Sequence, residues 1–373
     1  MSSTLFPIAA QLPSSDAPAA RQEGTSGRHS ESESALVDSH GRRLTDLRVS
    51  VTGRCNFRCL YCRTGQGEPA GMELPLAEYE RLASVFVSLG IEKVRLTGGE
   101  PLLREGLVDL TAALGRLRTP AGERLDLALT TNGFGLAKLA KPLAEAGLSR
   151  VTVSLDAVDS ETFTRVTRVP GGFEKVLAGI RAAQDAGLGP VKVNCVLLRG
   201  YNDGQIEAFA EFAQRERVIL RFIEFMPLEE APTPGTDAKA WSREAVVSMD
   251  EILTRLRAMG ELVALPPTHS SETARRFGFA DGAMENVEIG IIAPVSHPFC
   301  NHCSRLRLTA DGKLRTCLFS NEDHDLLAEM RSGADDEGLR QWIRRVVRGK
   351  EERHHIGEAG FLKPLRSMVQ IGG

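Results

Sequence analysis

LRVSVTGRCNFRCLYC, residues 47–62, joins the two patterns that decide how the whole chain is read. Its first six residues, LRVSVT, are β-rich, and the loop behind them carries Cys55, Cys59 and Cys62 in C-x3-C-x2-C spacing. Further β-rich runs follow at 93–97 (KVRLT), 125–130 (LDLALT), 150–155 (RVTVSL), 191–197 (VKVNCVL) and 219–225 (ILRFIEF). Helix-period stretches near 76–89, 105–117, 136–146, 173–187 and 203–214 separate them, with Gly90, Gly147 and Gly187 where C-caps are expected. Strand–helix–strand repeated in this way builds right-handed βαβ units on a parallel sheet. Six such units are two short of the eight that close a (β/α)8 barrel. The expected fold class is therefore α/β, a partial (βα)6 TIM-like barrel over residues 41–265 with an open side. A C-terminal cluster-binding region, 266–373, is expected to cover that side.

The 373 residues are 42% hydrophobic and 25% charged, enough to bury a core and stay in solution. A formal charge of −3 excludes a general nucleic-acid coat or a membrane-surface binder, either of which needs a basic excess. No apolar run approaches the roughly 18 residues of a membrane-spanning helix. The first residues lack the basic region of a secretory signal, so a cytoplasmic location is expected. Residues 1–40, rich in Ser, Ala, Pro and Glu, read as a disordered leader. Asp16, Glu23, Glu31 and Glu33 argue against a transit peptide there. Of seven cysteines, six fall in two tight groups, which suggests metal before disulfides. Cys195, alone on the fifth strand, reads as a buried apolar residue.

Three thiolates within eight residues can hold one face of a cubane and leave one iron without a protein ligand. A cluster used only for electron transfer takes four cysteines, and a structural zinc also takes four ligands. No histidine lies between His40 and His269 to complete a local zinc site. The ends of the other strands are polar as well. Arg95 lies on the second, with Gly98-Gly99-Glu100 at its exit; Thr130 to Gly133 end the third and Ser154 to Asp156 the fourth. Lys192 and Asn194 lie on the fifth, and Arg221, Glu224 and Met226 on the sixth. Buried parallel strands are normally near-continuously apolar, so polar groups at one end of every strand imply a wet cavity. Arg48, Arg95, Lys192 and Arg221 could there hold a polyanion, each pair giving about 4 kcal/mol of gross attraction at ~4 Å and an effective dielectric of ~20. Internal salt bridges are the alternative for each cation.

The second group is Cys300, Cys303 and Cys317, with His297, His302 and His324 close by. Spacing alone leaves zinc and iron–sulfur equally open. Arg305 to Leu308 alternates like a strand and Lys313 to Leu318 returns. A three-residue turn, Ala310-Asp311-Gly312 with Gly312 left-handed, puts Cys317 opposite Arg305 and brings Cys303, Arg305, Arg307 and Cys317 to one face. A two-residue turn would set Cys317 opposite Leu306 instead.

CNFRCLYC (55–62) and LTGGEP (96–101) resemble the signature of radical S-adenosylmethionine enzymes. With CNHCSRLRLTADGKLRTC (300–317), the chain from about Arg42 to Gly373 resembles the GTP 3′,8-cyclases of molybdenum-cofactor biosynthesis. That resemblance implies two [4Fe–4S] clusters, the first chelating S-adenosylmethionine and the second binding the guanine of GTP. It implies S-adenosylmethionine contacts at Tyr61, Gly99, Ser154 and Met226, and GTP contacts at Arg48, Arg95, Thr130, Lys192, Arg305, Leu306 and Arg307. Catalytic roles fall to Arg305, Arg307 and a flexible Gly372-Gly373 tail. The implied reaction has a 5′-deoxyadenosyl radical take the ribose 3′ hydrogen of GTP; the carbon radical then attacks C8 to give 3′,8-cyclo-7,8-dihydro-GTP. The implied partners are a reducing protein as electron donor and a downstream cyclic pyranopterin monophosphate synthase, and a homodimer is left open. Ser304 and Gly53 depart from the family pattern without touching a ligand. Two rivals stand beside this reading: a radical enzyme acting on a peptide, and a non-catalytic nucleotide binder stapled by zinc.

Overall fold

The six expected strands form as β1 (Asp46–Ser50), β2 (Lys93–Thr97), β3 (Asp126–Thr131), β4 (Arg150–Ser154), β5 (Lys192–Leu197) and β6 (Ile219–Glu224). They belong to a computed structural model that describes residues 35–62, 73–228 and 240–372. Each is parallel to the next, and the crossovers are α1 (Leu76–Ser88), α2 (Leu107–Gly115), α3 (Leu136–Glu145), α4 (Ser160–Thr167), α5 (Phe173–Asp185) and α6 (Ile206–Glu216). The helices bury their apolar stripes on the sheet; α1 contributes Tyr79, Leu82, Val85 and Phe86 to the core. Helix α4 is an addition to the expected set. Eight residues span barely two turns, so its period is hard to see, but Asp159 caps it by accepting from the Thr162 amide at 2.8 Å.

Beyond β6 the chain adds α7 (Met249–Arg257), β7 (Leu262–Leu265), β8 (Arg275–Phe279), β9 (Glu288–Ile292), β10 (Arg305–Leu308), β11 (Lys313–Arg315) and β12 (His324–Asp325). Helices α8 (Leu326–Arg331), α9 (Asp336–Arg348) and α10 (Met368–Ile371) follow. All twelve strands form one sheet, ordered β12-β11-β10-β1-β2-β3-β4-β5-β6-β9-β8-β7. Strand β10 is parallel to β1, and β9 is parallel to β6. The parallel run is therefore eight strands long, although its two ends are not joined by backbone hydrogen bonds. So the C-terminal region does more than cover the open side; it lengthens the barrel wall at both edges.

Two boundaries move. The division expected after residue 265 falls inside an antiparallel hairpin, because β7 pairs with β8, and residues from Ser34 onward form a single compact unit. Residues 35–40, assigned above to the leader, are part of that unit: Leu36 is 1% exposed, and Asp38 holds Arg42 Nε at 2.6 Å. The rest of the leader lies outside the described residues. Among the described residues no helix is long and apolar enough to cross a membrane.

Candidate active site

A cavity of about 330 Å³ runs along the inside of the parallel strands, from residues that open them, such as Asp46, Lys93 and Lys192, to the loops beyond, and all six grouped cysteines line it. So do Tyr61, Gly99, Ser154 and Met226, and Arg48, Arg95, Thr130, Lys192, Arg305 and Arg307.

The first cysteine loop leaves β1 and is clamped from two sides. Below it, the Gly99 and Glu100 amides donate to the carbonyls of Thr52 (2.8 Å) and Arg54 (2.7 Å). The contact is so close that a Cβ at Gly98 would stand 2.5 Å from the Thr52 carbonyl, and one at Gly99 2.4 Å from that of Arg54. Only glycine fits there. Beside it, the amides of Arg58 and Leu60 donate to Thr167 and Val166 at the end of α4. Burial, then the charges of Asp156, Cys62 and Cys55, push the Cys59 thiol well above its ordinary value. These thiols need a cationic centre to ionise together.

The second triad is set by the β10–β11 hairpin. Arg307 pairs with Arg315 and Leu308 with Leu314, a register that places Arg305 opposite Cys317 across a three-residue turn, and Gly312 adopts φ +78°. This is the first of the two registers considered. Burial raises the Cys303 thiol, but Arg305 and Lys350 outweigh it and bring the group down to about 7. Among the described residues no three His, Cys, Asp or Glu side chains are grouped as ligands of one metal ion. Two all-sulfur triads on one cavity, each one ligand short of a tetrahedral site, fit multi-iron clusters with an open iron better than a structural zinc.

The cations fall into two rows fixed by strand register. In one, Asp46 lies between Lys93 and Arg305, bonds Lys93 Nζ at 3.0 Å and accepts from Ser304 Oγ. In the next, Arg48 lies between Arg95 and Arg307, and the row holds no anion. Arg48 makes no hydrogen bond or ion pair to any described residue; burial, then Arg307, Arg305 and Arg95, hold its guanidinium well below its ordinary pKa. Burial, then Arg305, brings Arg307 to about 9, and burial, then Arg221 and Arg150, brings Arg95 to about 10. Arg95 is aimed by Thr130 and Thr152, whose hydroxyls it reaches at 3.1 Å each. Lys192 is lowered to about 8 by burial, then by Arg221 and Arg150.

Several placements differ from the sequence reading. Leu306 is fully buried in the core beside Leu47, so only its backbone can face a ligand. Arg221 is spent on Glu272 at 3.4 Å. Gly373 lies outside the described residues. Cys195 is buried, as read. Sequence reasoning missed Lys93, Arg150, Thr152, His269, Phe299 and His354 on the cavity wall. Lys93 and Arg150 open their strands and resemble ordinary exposed ends, while the others sit where periodicity gives no register. Among the polar anchors, Tyr61 donates to Asp156 Oδ2 at 2.8 Å. Glu100, below the glycines, accepts from Thr131 Oγ1, Asn132 N and Leu102 N, yet burial still pushes it up to about 7.

The C-terminal tail is tied to the cationic row, since Arg307 donates from Nη1 to the Gly372 carbonyl. Gly372 has φ +85°, and a Cβ there would stand 2.7 Å from Thr97 Oγ1 and 2.9 Å from Ser50 Cβ. The Gly372→Ala substitution should push the tail off Arg307 and lower turnover by about tenfold or more, since such sparsely populated positive-φ backbone alone costs a non-glycine residue roughly 1–3 kcal/mol. Steady-state turnover with intact iron content checks this.

Residues 49–213 match the Radical SAM superfamily model, and residues 218–356 match that of Molybdenum Cofactor Synthesis C. A GTP 3′,8-cyclase of Corynebacterium glutamicum is 43% identical over 344 residues, covering 91% of this chain and 89% of the relative. One from Streptomyces coelicolor is also 43% identical, over 91% and 96%, and one from Peptoclostridium acidaminophilum is 38% identical over 92% and 100%. Among solved structures, Streptococcus suis SuiB bound to S-adenosylmethionine superposes with a TM-score of 0.53 at 14% identity, covering 89% of this chain and 78% of SuiB. That similarity speaks for the fold alone.

Proposed function

The chain belongs to the GTP 3′,8-cyclase family of the radical S-adenosylmethionine superfamily, and from that premise we propose that the cavity is where its substrate and cofactors meet. The reaction is the lyase step that converts GTP to 3′,8-cyclo-7,8-dihydro-GTP in molybdenum-cofactor biosynthesis. When bound, the [4Fe–4S] clusters and S-adenosylmethionine supply the hydrogen-abstracting radical and an open iron for the purine.

The protein's own residues then have separable tasks. Cys55, Cys59 and Cys62 hold the first cluster, and Cys300, Cys303 and Cys317 the second. Tyr61, Gly99, Ser154 and Met226 flank S-adenosylmethionine. Arg48, Arg95, Lys192, Arg305 and Arg307 neutralise the triphosphate; Thr130 aims Arg95, and Leu306 offers only backbone. Arg307 also carries the Gly372 carbonyl, so the tail closes over bound GTP and excludes water. Two reactants fixed in one chamber need no further encounter, which is the largest share a protein can contribute when cofactors break the bonds. The observation that carries this reading is the anion-free arginine row beside two sulfur triads.

The reading also calls for an external reducing protein as electron donor, a downstream cyclic pyranopterin monophosphate synthase and a cytoplasmic setting. It makes no demand for a homodimer, because one chain supplies all six cysteines. Anaerobic incubation of the reconstituted protein with GTP, S-adenosylmethionine and a reductant should yield methionine, 5′-deoxyadenosine and a product isomeric with GTP. Stoichiometric zinc without sulfide would favour the staple instead.

A pH effect follows from Lys192. Its pKa of about 8 lies below that of an unfolded lysine, so the ammonium is present below pH 8 and lost above it. GTP affinity should weaken by up to about tenfold per unit as pH rises above 8, and Lys192→Met should flatten that profile. Equilibrium binding at pH 7, 8 and 9 reads it.

A further inference from the structure

Lys350, two residues beyond the end of α9, is only 3% exposed. Its Nζ donates to the carbonyl of Arg305, at 3.2 Å, and to that of Thr316. Those two residues lie just after Cys303 and just before Cys317, on opposite strands of the hairpin. The ammonium is therefore wedged between the two arms of the hairpin, two residues from Cys303 on one side and one residue from Cys317 on the other.

A brace for the hairpin would explain the two carbonyl bonds, but it would not need a charge left without an acid. Arg42 shows what a brace looks like here. It donates to the carbonyls of Cys300 (2.9 Å), Glu351 (2.6 Å) and Glu352 (2.6 Å), and its charge is met by Asp38. Lys350 has no such partner among the described residues. The neighbouring carboxylate, Glu351, is turned to Thr316 Oγ1 at 2.7 Å. An uncompensated buried ammonium is strongly unfavourable, and its two carbonyl contacts set it beside the ligand positions Cys303 and Cys317. Arg305 differs, because it lines the cavity and can be taken up by an incoming phosphate.

We propose that Lys350 is the fixed counter-charge of the second cluster, a positioning residue that keeps its three thiolates together and raises its reduction potential. This rests on the reading that Cys300, Cys303 and Cys317 hold a cluster. The sign follows from electrostatics: reduction adds negative charge, and a nearby fixed cation favours it.

The test uses the full chain with Cys55, Cys59 and Cys62 replaced by alanine, so that only the second cluster is read, alone and with Lys350→Met or Lys350→Arg added. Iron and sulfide content and a spin-resonance-monitored redox titration are measured. The Lys350→Met chain should lose most of its iron, or keep it with a more negative midpoint, and Lys350→Arg should stay near the parent. Parental iron and midpoint in Lys350→Met, or an equal deficit in Lys350→Arg, would overturn the proposal. In the otherwise unaltered chain Lys350→Met should retain the first cluster and S-adenosylmethionine binding; losing both would make Lys350 a folding residue and overturn it too. A parent that takes up no iron would fail the underlying cluster reading, a result distinct from these.

Discussion

Replacing Cys59 with Ser should leave about half the iron of the native protein, roughly four of eight atoms, and reduce product formation to background. The hydroxyl is a poor substitute for a thiolate toward iron, and the clamped loop cannot offer another donor: its backbone is held by Gly99, Glu100 and the end of α4. GTP binding should stay within about threefold of native, because Arg48 stands on β1 itself and Arg95, Arg305 and Arg307 on β2 and β10, none of them in the loop that carries Cys59. Cys303→Ser should also halve the iron but break a different step. Reductive formation of 5′-deoxyadenosine should persist, while GTP affinity and cyclisation are lost. Metal analysis, GTP binding and chromatography of the nucleoside separate the two variants. If either substitution removed all the iron, the triads would not be independent centres.

Arg48→Met should have effects of opposite sign on stability and on binding. Arg48 is register-paired with Arg95 on one side and Arg307 on the other, makes no hydrogen bond or ion pair to a described residue, and the attraction of Asp46 is outweighed by burial and by Arg307, Arg305 and Arg95. Exchanging such a desolvated charge for an apolar chain of similar length should stabilise the ligand-free protein by about 1–4 kcal/mol. GTP affinity should fall by about 10- to 150-fold, the loss of one charge-assisted contact of roughly 1.5–3 kcal/mol. Chemical denaturation without nucleotide and a GTP titration measure both. A less stable Arg48→Met protein would reveal an internal anion and remove the argument for a polyanionic ligand. Marginal stability traded for a charged binding site is a common balance in enzymes.

Local chemistry was readable in the sequence; distant pairing was not. The β10–β11 register followed from Gly312 and the alternation of Arg305 to Leu308, both short-range signals. Strands β1 to β6 announced themselves by composition. That β10 would lie beside β1 depends on contacts between segments more than 250 residues apart, and no periodicity encodes them. The same pairing makes Arg48 the middle of an arginine row, so the sequence could name it as a candidate ligand cation but not name its neighbours. Arg221 looked like a ligand cation because Glu272 sits in an irregular segment with no predictable position. Leu306 was grouped with Arg305 and Arg307 by motif, although strand alternation alone sends it to the other face. Leu36 and the Asp38–Arg42 pair were lost in a polar leader, too few residues to carry a pattern.

If both triads work on one chamber, hydrogen should pass directly between their ligands. GTP carrying deuterium at the ribose 3′ carbon, turned over anaerobically, should yield 5′-deoxyadenosine bearing that deuterium in step with product. Deoxyadenosine formed without label, while GTP is converted, would place the two chemistries in separate sites and contradict the account.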